Sequence, residues 1–119
     1  MRHKKKNLKM NMQRDERAAL LRNLATSVIL FEKVKTTASR ARQVKPVVEK
    51  LITTAKGSDK MHAIREINKV IFDKQAGKKL VDVLSERYKD RPGGYTRTLK
   101  VGFRSGDSAP VVQLQLVND

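Results

Sequence analysis

The side chains of this chain best equipped to act on another molecule are its cations. Lysine and arginine number 27 against 12 aspartates and glutamates, a formal net charge of +15 on 119 residues. Catalytic groupings do not assemble. Cysteine is absent, which excludes disulfides, thiolate zinc sites and cysteine nucleophiles. His3 and His62 lie far apart, one in a basic stretch and one on an expected helix, without metal-ligand spacing. Ser105 and Asp107 share a loop that holds no histidine base. No phosphate-binding loop or dinucleotide fingerprint occurs. The chemistry left is neutralisation of a polyanion, and no enzymatic activity, cofactor or metal is expected.

Three clusters could carry that chemistry. The first is Arg2, His3, Lys4, Lys5, Lys6 and Lys9, continued by Arg14, Arg17 and Arg22. Residues 1–13 have few core-forming side chains and no helical stripe, so they read as an arm that orders on a polyanion. Each phosphate such an arm neutralises steepens the salt dependence by a slope of about 0.9 on duplex DNA, and somewhat less on single strands. The second cluster is Lys35, Thr36 and Thr37, followed by Arg40 and Arg42. A helix N-terminus with exposed N–H groups binds phosphate well, although an ordinary capped helix would look the same. The third is Arg91, Gly93, Gly94, Tyr95, Thr96 and Arg97, continued by Lys100 and Arg104. Paired glycines let a backbone approach an anion closely. Tyr95 either stacks on a sugar or base, or sits in the core behind a plain turn.

These clusters need elements to hold them. Leu21, Leu24, Ala25, Val28 and Phe31 recur at helical spacing and predict a helix over 14–30, with Asp15 and Glu16 at its positive end. Arg14, Arg17 and Arg22 fall off that stripe and could reach outward. Residues 32–35 favour a short extended segment, and Thr36 or Thr37 can cap a second helix over 38–56. Its buried stripe is Ala41, Val44, Val48, Leu51, Ile52 and Ala55, and Pro46 inside it predicts a kink or two shorter helices. Ser58 or Asp59 can cap a third helix over 60–72, with Met61, Ile64, Ile67 and Ile71 inward. A fourth helix over 78–88 follows a connection holding Lys74 and Gly77, with Leu80, Val81, Leu84 and Tyr88 as its stripe.

The period then changes from 3.6 to 2. Residues 91–94 read as a type II turn with Gly93 at the positive φ. Residues 95–103 alternate, with Leu99, Val101 and Phe103 on one side and Thr96, Thr98 and Lys100 on the other. Residues 111–117 alternate as Val112, Leu114 and Leu116 against Gln113 and Gln115. The simplest pairing is an antiparallel hairpin, with 32–35 as a possible third strand. The expectation is an α+β fold: about four helices on a two- or three-stranded sheet, as one domain at 14–119 behind an arm at 1–13.

The charge is unevenly spread. Segments 1–17, 18–56 and 87–104 carry +5, +6 and +5, while 57–86 carries +1 and 105–119 carries −2. That pattern gives a basic face and an ordinary solvated face. Aromatics are 4% of the chain, which argues against recognition built mainly on base stacking. No apolar run approaches the ~20 residues of a membrane span, and no secretory signal opens the chain, so no membrane partner is expected.

The opening MRHK, the KTT before a helix bearing Arg40 and Arg42, GGYTR at 93–97, GFRSGD at 102–107 and the closing LV at 116–117 occur in order. Together they resemble the bacterial-type large-subunit ribosomal protein seventeen family over the whole chain. That resemblance implies an α+β domain and a structural, rRNA-binding constituent of the cytoplasmic large subunit, part of the ribonucleoprotein that carries out translation. It implies large-subunit rRNA and neighbouring ribosomal proteins near the tunnel exit as partners, with no homo-oligomer. Its RNA-facing regions map here onto the arm with Arg2 and His3, onto Lys35 to Thr37, and onto Gly93 to Arg97. The competing reading is a DNA-binding architectural or regulatory protein, which would need a recognition helix or a spaced dimer.

Overall fold

The computed structural model describes residues 12–118. Helix α1 covers Arg14–Phe31, strand β1 Lys33–Thr37, helix α2 Ala38–Ala55 and helix α3 Lys60–Asn68. Helix α4 runs as three contiguous stretches: α-helical Lys74–Lys79, π-helical Leu80–Leu84 and α-helical Ser85–Arg87. Strands β2, Thr96–Phe103, and β3, Pro110–Leu116, form an antiparallel hairpin. β1 adds antiparallel to the other side of β3, giving the order β1-β3-β2. The fold is α+β, with four helices and three strands among the described residues. The arm read at residues 1–13 lies outside them apart from Met12 and Gln13.

α2 is the central helix. It packs against α1 and against all three strands. Its Ala41, Val44, Val48, Leu51, Ile52 and Ala55 are buried, as the stripe predicts. They meet Ala25, Val28 and Ile29 of α1, Leu80, Val81 and Leu84 of α4, and Val112, Leu114 and Leu116 of β3. Burying a Leu such as Leu114 contributes about 2 kcal/mol. A one-residue slip of β3 would exchange Val112, Leu114 and Leu116 for Gln113 and Gln115, so the core fixes the register.

Local signals set the helix ends. Thr37 Oγ1 accepts the Arg40 N–H at 3.4 Å and starts α2. Asp59 accepts the N–H groups of Met61 and His62 and starts α3. α1 ends where Glu32 turns left-handed at φ 65°, its N–H donating to the Val28 carbonyl at 2.8 Å. For a residue with a Cβ that conformation costs about 1–2 kcal/mol.

Several expectations are corrected. α2 passes through Pro46 as one helix, so two shorter helices are excluded. Pro46 and Arg42 are both exposed, and water can replace the donor that the Arg42 carbonyl loses. α3 stops at Asn68 and turns Ala63 and Ile67 inward, leaving Met61 and Ile64 exposed. The stop follows from the next cap. Asp73 accepts the N–H groups of Gln75 at 2.8 Å and Ala76 at 3.3 Å, so α4 begins at Lys74 and takes in Gly77. Ile71 still reaches the core from the connection. The positive φ of the turn falls at Gly94, φ 63°, one residue after the expected Gly93. Phe31 is 69% exposed instead of completing the α1 stripe.

The alternation in β2 is inverted with respect to the core. Thr96, Thr98 and Lys100 pair with Leu116, Leu114 and Val112 and so share the helix side of the sheet. Leu99 pairs with Gln113 on the outer side, and a bulge between Lys100 and Gly102 shifts the register beyond it. Leu99, Val101 and Phe103 are exposed. β2 is an edge strand, and only Thr96 at its start lies beneath helical cover.

Candidate nucleic-acid interface

The sheet joins two of the three predicted clusters. Lys33 and Lys35 project from β1 opposite Gln115 and Gln113, and Arg97 of β2 is opposite Gln115 from the other side. Partners across an antiparallel pair share a face, so Lys33, Lys35, Gln113, Gln115, Arg97 and Leu99 lie together on the side away from the helices. Neighbouring strands lie ~4.8 Å apart, which puts the β1 and β2 cations about 10 Å apart across β3. No acidic side chain of the three strands lies on this face. Lys33 escaped the sequence reading. Its signal was the i, i+2 spacing with Lys35 in an extended segment.

Arg40 and Arg42 are exposed on the first turns of α2, where Thr37 occupies the cap. Thr36 pairs with Val112 and is half-buried on the helix side. Arg14 is exposed and Arg17 half-buried at the start of α1. Arg22 is half-buried. Its guanidinium lies 4.1 Å from the centroid of the exposed Phe72 ring, and its Nε is buried with no acceptor among the described residues. Arg2, His3, Lys4, Lys5, Lys6 and Lys9 lie outside the described residues.

The glycine turn is held from behind. Tyr95 is 2% exposed, and Thr96 is also buried. The Tyr95 ring packs on Tyr88 with centroids 5.2 Å apart, so this ring is core and does not offer a face to a base. Lys56, at the end of α2, donates its Nζ to the Arg91 carbonyl and to Tyr95 Oη, the latter at 2.9 Å. Burial pushes the Tyr95 hydroxyl up, but the Lys56 hydrogen bond and charge help bring it below the ordinary tyrosine value. Thr96 Oγ1 donates to Glu49 Oε1 at 3.0 Å. Tyr88 Oη donates to the Val117 carbonyl at 2.6 Å, and burial raises its hydroxyl. Gly93 is half-buried and Gly94 exposed, and neither would bring an added Cβ within 4 Å of another atom. Gly94 is therefore required by its φ, and the space before the turn is open.

Arg97 and Lys100 are exposed on β2. Arg104 is committed locally. It forms an ion pair with Asp107, Nε to Oδ1 at 3.2 Å, across the 104–109 turn. That hydrogen bond holds the Asp107 carboxyl down at about 2. Its charge is thus partly cancelled before any ligand arrives. Among the described residues no three His, Cys, Asp or Glu side chains cluster as a metal site would require. No helix among the described residues is long and apolar enough to cross a membrane.

Residues 20–117 match the family model described as Ribosomal protein L17. The chain belongs to that family. Relatives span it almost completely. The large ribosomal subunit protein bL17 of Desulforudis audaxviator is 49% identical over 109 residues, covering 92% of this chain and 96% of the relative. That of Rickettsia bellii (strain OSU 85-389) is 48% identical over 118 residues, covering 99% and 82%. That of Syntrophus aciditrophicus is 44% identical over 119 residues, covering 100% and 94%. In this L17-family chain the sheet face and the glycine turn thus sit inside the matched region, while the lysines of residues 4–9 precede it.

Proposed function

We propose that this chain is a structural constituent of the large ribosomal subunit that binds the large rRNA by charge neutralisation and shape contacts. The observation that carries the reading is membership of the L17 family, whose similar members are named as large-subunit proteins. The geometry supports how binding would work. Lys33, Lys35 and Arg97 give one flat cationic face, Arg40 and Arg42 flank a helix entrance, and Gly93 and Gly94 lead into Arg97 beside open space. Contacts of this kind follow A-form shape, phosphates and 2′-hydroxyls without reading base edges. Residues 1–13 act as an arm that threads between RNA segments, and 14–119 form the domain it extends. The protein works in the cytoplasm beside other ribosomal proteins near the tunnel exit, as a single copy and with no catalysis of its own. Nothing among the described residues favours the DNA-binding alternative.

The test is co-sedimentation with large subunits at moderate salt, followed by nuclease treatment. RNase should release the chain and DNase should not. Release by DNase, or absence from translating ribosomes, contradicts the reading. Deleting residues 1–13 should leave the remainder folded by circular dichroism but weaken incorporation into subunits.

A further inference from the structure

We infer that Phe31 and the adjoining outer face of the sheet form a stacking site for one unpaired nucleobase of RNA. The inference rests on the rRNA-binding reading and deepens it. Four observations carry it. Phe31 is a large aromatic, 69% exposed, at the last position of α1. The residue after it, Glu32, is held at a positive φ, which ends the helix and sends the chain straight into β1. Phe31 lines a concavity of about 330 Å³ with Lys33, Gln113, Gln115 and Asn118. That size suits a small planar ligand. Gln113 Nε2 donates to Gln115 Oε1 at 2.8 Å, so the two amides lie side by side with hydrogen-bonding capacity left over.

The charge around the concavity fits a nucleotide. Among the described residues that line it Glu32 is the acidic one, and its carboxylate is already paired with Arg87 and, at 3.2 Å, with Lys79. Lys33 at the rim and Arg97, opposite Gln115, stand on the same face to take the flanking phosphates. An exposed ring beside amides and cations is the arrangement with which proteins hold splayed-out bases. The low aromatic content of the chain argues against a stacking platform of several rings, and a single ring for a single base is consistent with it.

The test uses the full chain and deproteinised large-subunit rRNA in binding titrations at several salt concentrations. Phe31→Ala should weaken binding about 5- to 150-fold, the range for loss of one stacked base. The salt slope should stay unchanged, because a ring neutralises no phosphate. Phe31→Trp should retain affinity. Lys33→Ala should instead lower the slope by about 0.7–0.9. Ultraviolet cross-linking of assembled subunits should leave a nucleotide adduct on the Phe31 peptide. Wild-type affinity for Phe31→Ala overturns the site while leaving rRNA binding intact. If Phe31→Ala binds rRNA normally yet fails to enter subunits, the ring faces a protein and the inference falls. If the wild-type chain does not bind the rRNA, the parent reading fails first.

Discussion

Lys56 is the residue whose loss should be felt most widely for its size. Its ammonium bridges the end of α2 to the Arg91 carbonyl and to Tyr95 Oη, and lies 5.0 Å from the Tyr95 ring centroid. It therefore pins the glycine turn from behind. Lys56→Met keeps the length and apolar stem but removes both hydrogen bonds. Bonds to a charged donor contribute about 1.5–3 kcal/mol each. Lys56 is half-buried, so water recovers part of that, and about 2–3 kcal/mol is the expected net loss. For a chain of 119 residues, about 4 °C per kcal/mol places the melting temperature roughly 8–12 °C lower. Differential scanning calorimetry reads this directly, with Lys50→Met, an exposed lysine of the same helix, as control. The control should change stability by no more than about 0.5 kcal/mol. A Lys56→Met melt within ~2 °C of wild type would refute the claim that this ammonium holds the turn.

Pro46→Ala should stabilise the protein. It restores a backbone donor, but water at the exposed Arg42 carbonyl already recovers part of the ~3 kcal/mol interior-proline penalty and a looser unfolded chain subtracts ~0.4–1 kcal/mol, so a gain of about 1–2 kcal/mol in urea unfolding is expected. A loss would mean that the helix has adapted to the ring. Glu32→Gln tests the ion pairs at the α1 end. Hydrogen bonding to Arg87 leads the causes that lower the Glu32 pKa below the ordinary carboxylate value. Its stabilisation is therefore full above the unfolded pKa of ~4.3 and is lost as pH falls through the lower folded value. At pH 7 the variant should be about 1 kcal/mol less stable than wild type, and the gap should close toward pH 3. Equal gaps at both pH values would show that the carboxylate charge is not what matters.

Much of the fold was legible because local chemistry and tertiary packing agree. The α2 stripe, the α1 stripe up to Val28, the alternation of β3 and the option of a third strand from β1 follow from spacing, and the caps fall on one of the two residues offered at each helix start, Thr37 and Asp59. What was not legible depends on partners distant in sequence. Leu99 and Val101 alternate like a core face, yet β2 is an edge whose outer side no described helix covers. Met61 and Ile64 look inward at helical spacing, but the turn fixed by Asp59 favours Ala63 and Ile67. The charge count located the basic segments, and only the pairing of β1 and β2 around β3 showed that two of them share a face. Tyr95 could by type stack on a base or sit in the core, and only its distant contacts with Tyr88 and Lys56 decide for the core. The stacking of Arg22 on the Phe72 ring likewise depends on a partner far along the chain.

Among the described residues the sheet has two unpaired borders, and cations furnish both of them. β1 carries Lys33 and Lys35, and β2 carries Arg97 and Lys100 with a bulge beside them. An uncovered border of a sheet invites another chain to add on, and charge or irregularity there discourages it. Between synthesis and incorporation the molecule must survive with its polyanion missing. During that interval mutual repulsion keeps copies from joining border to border into fibres. The side chains proposed above to meet the RNA thus also safeguard the unassembled chain.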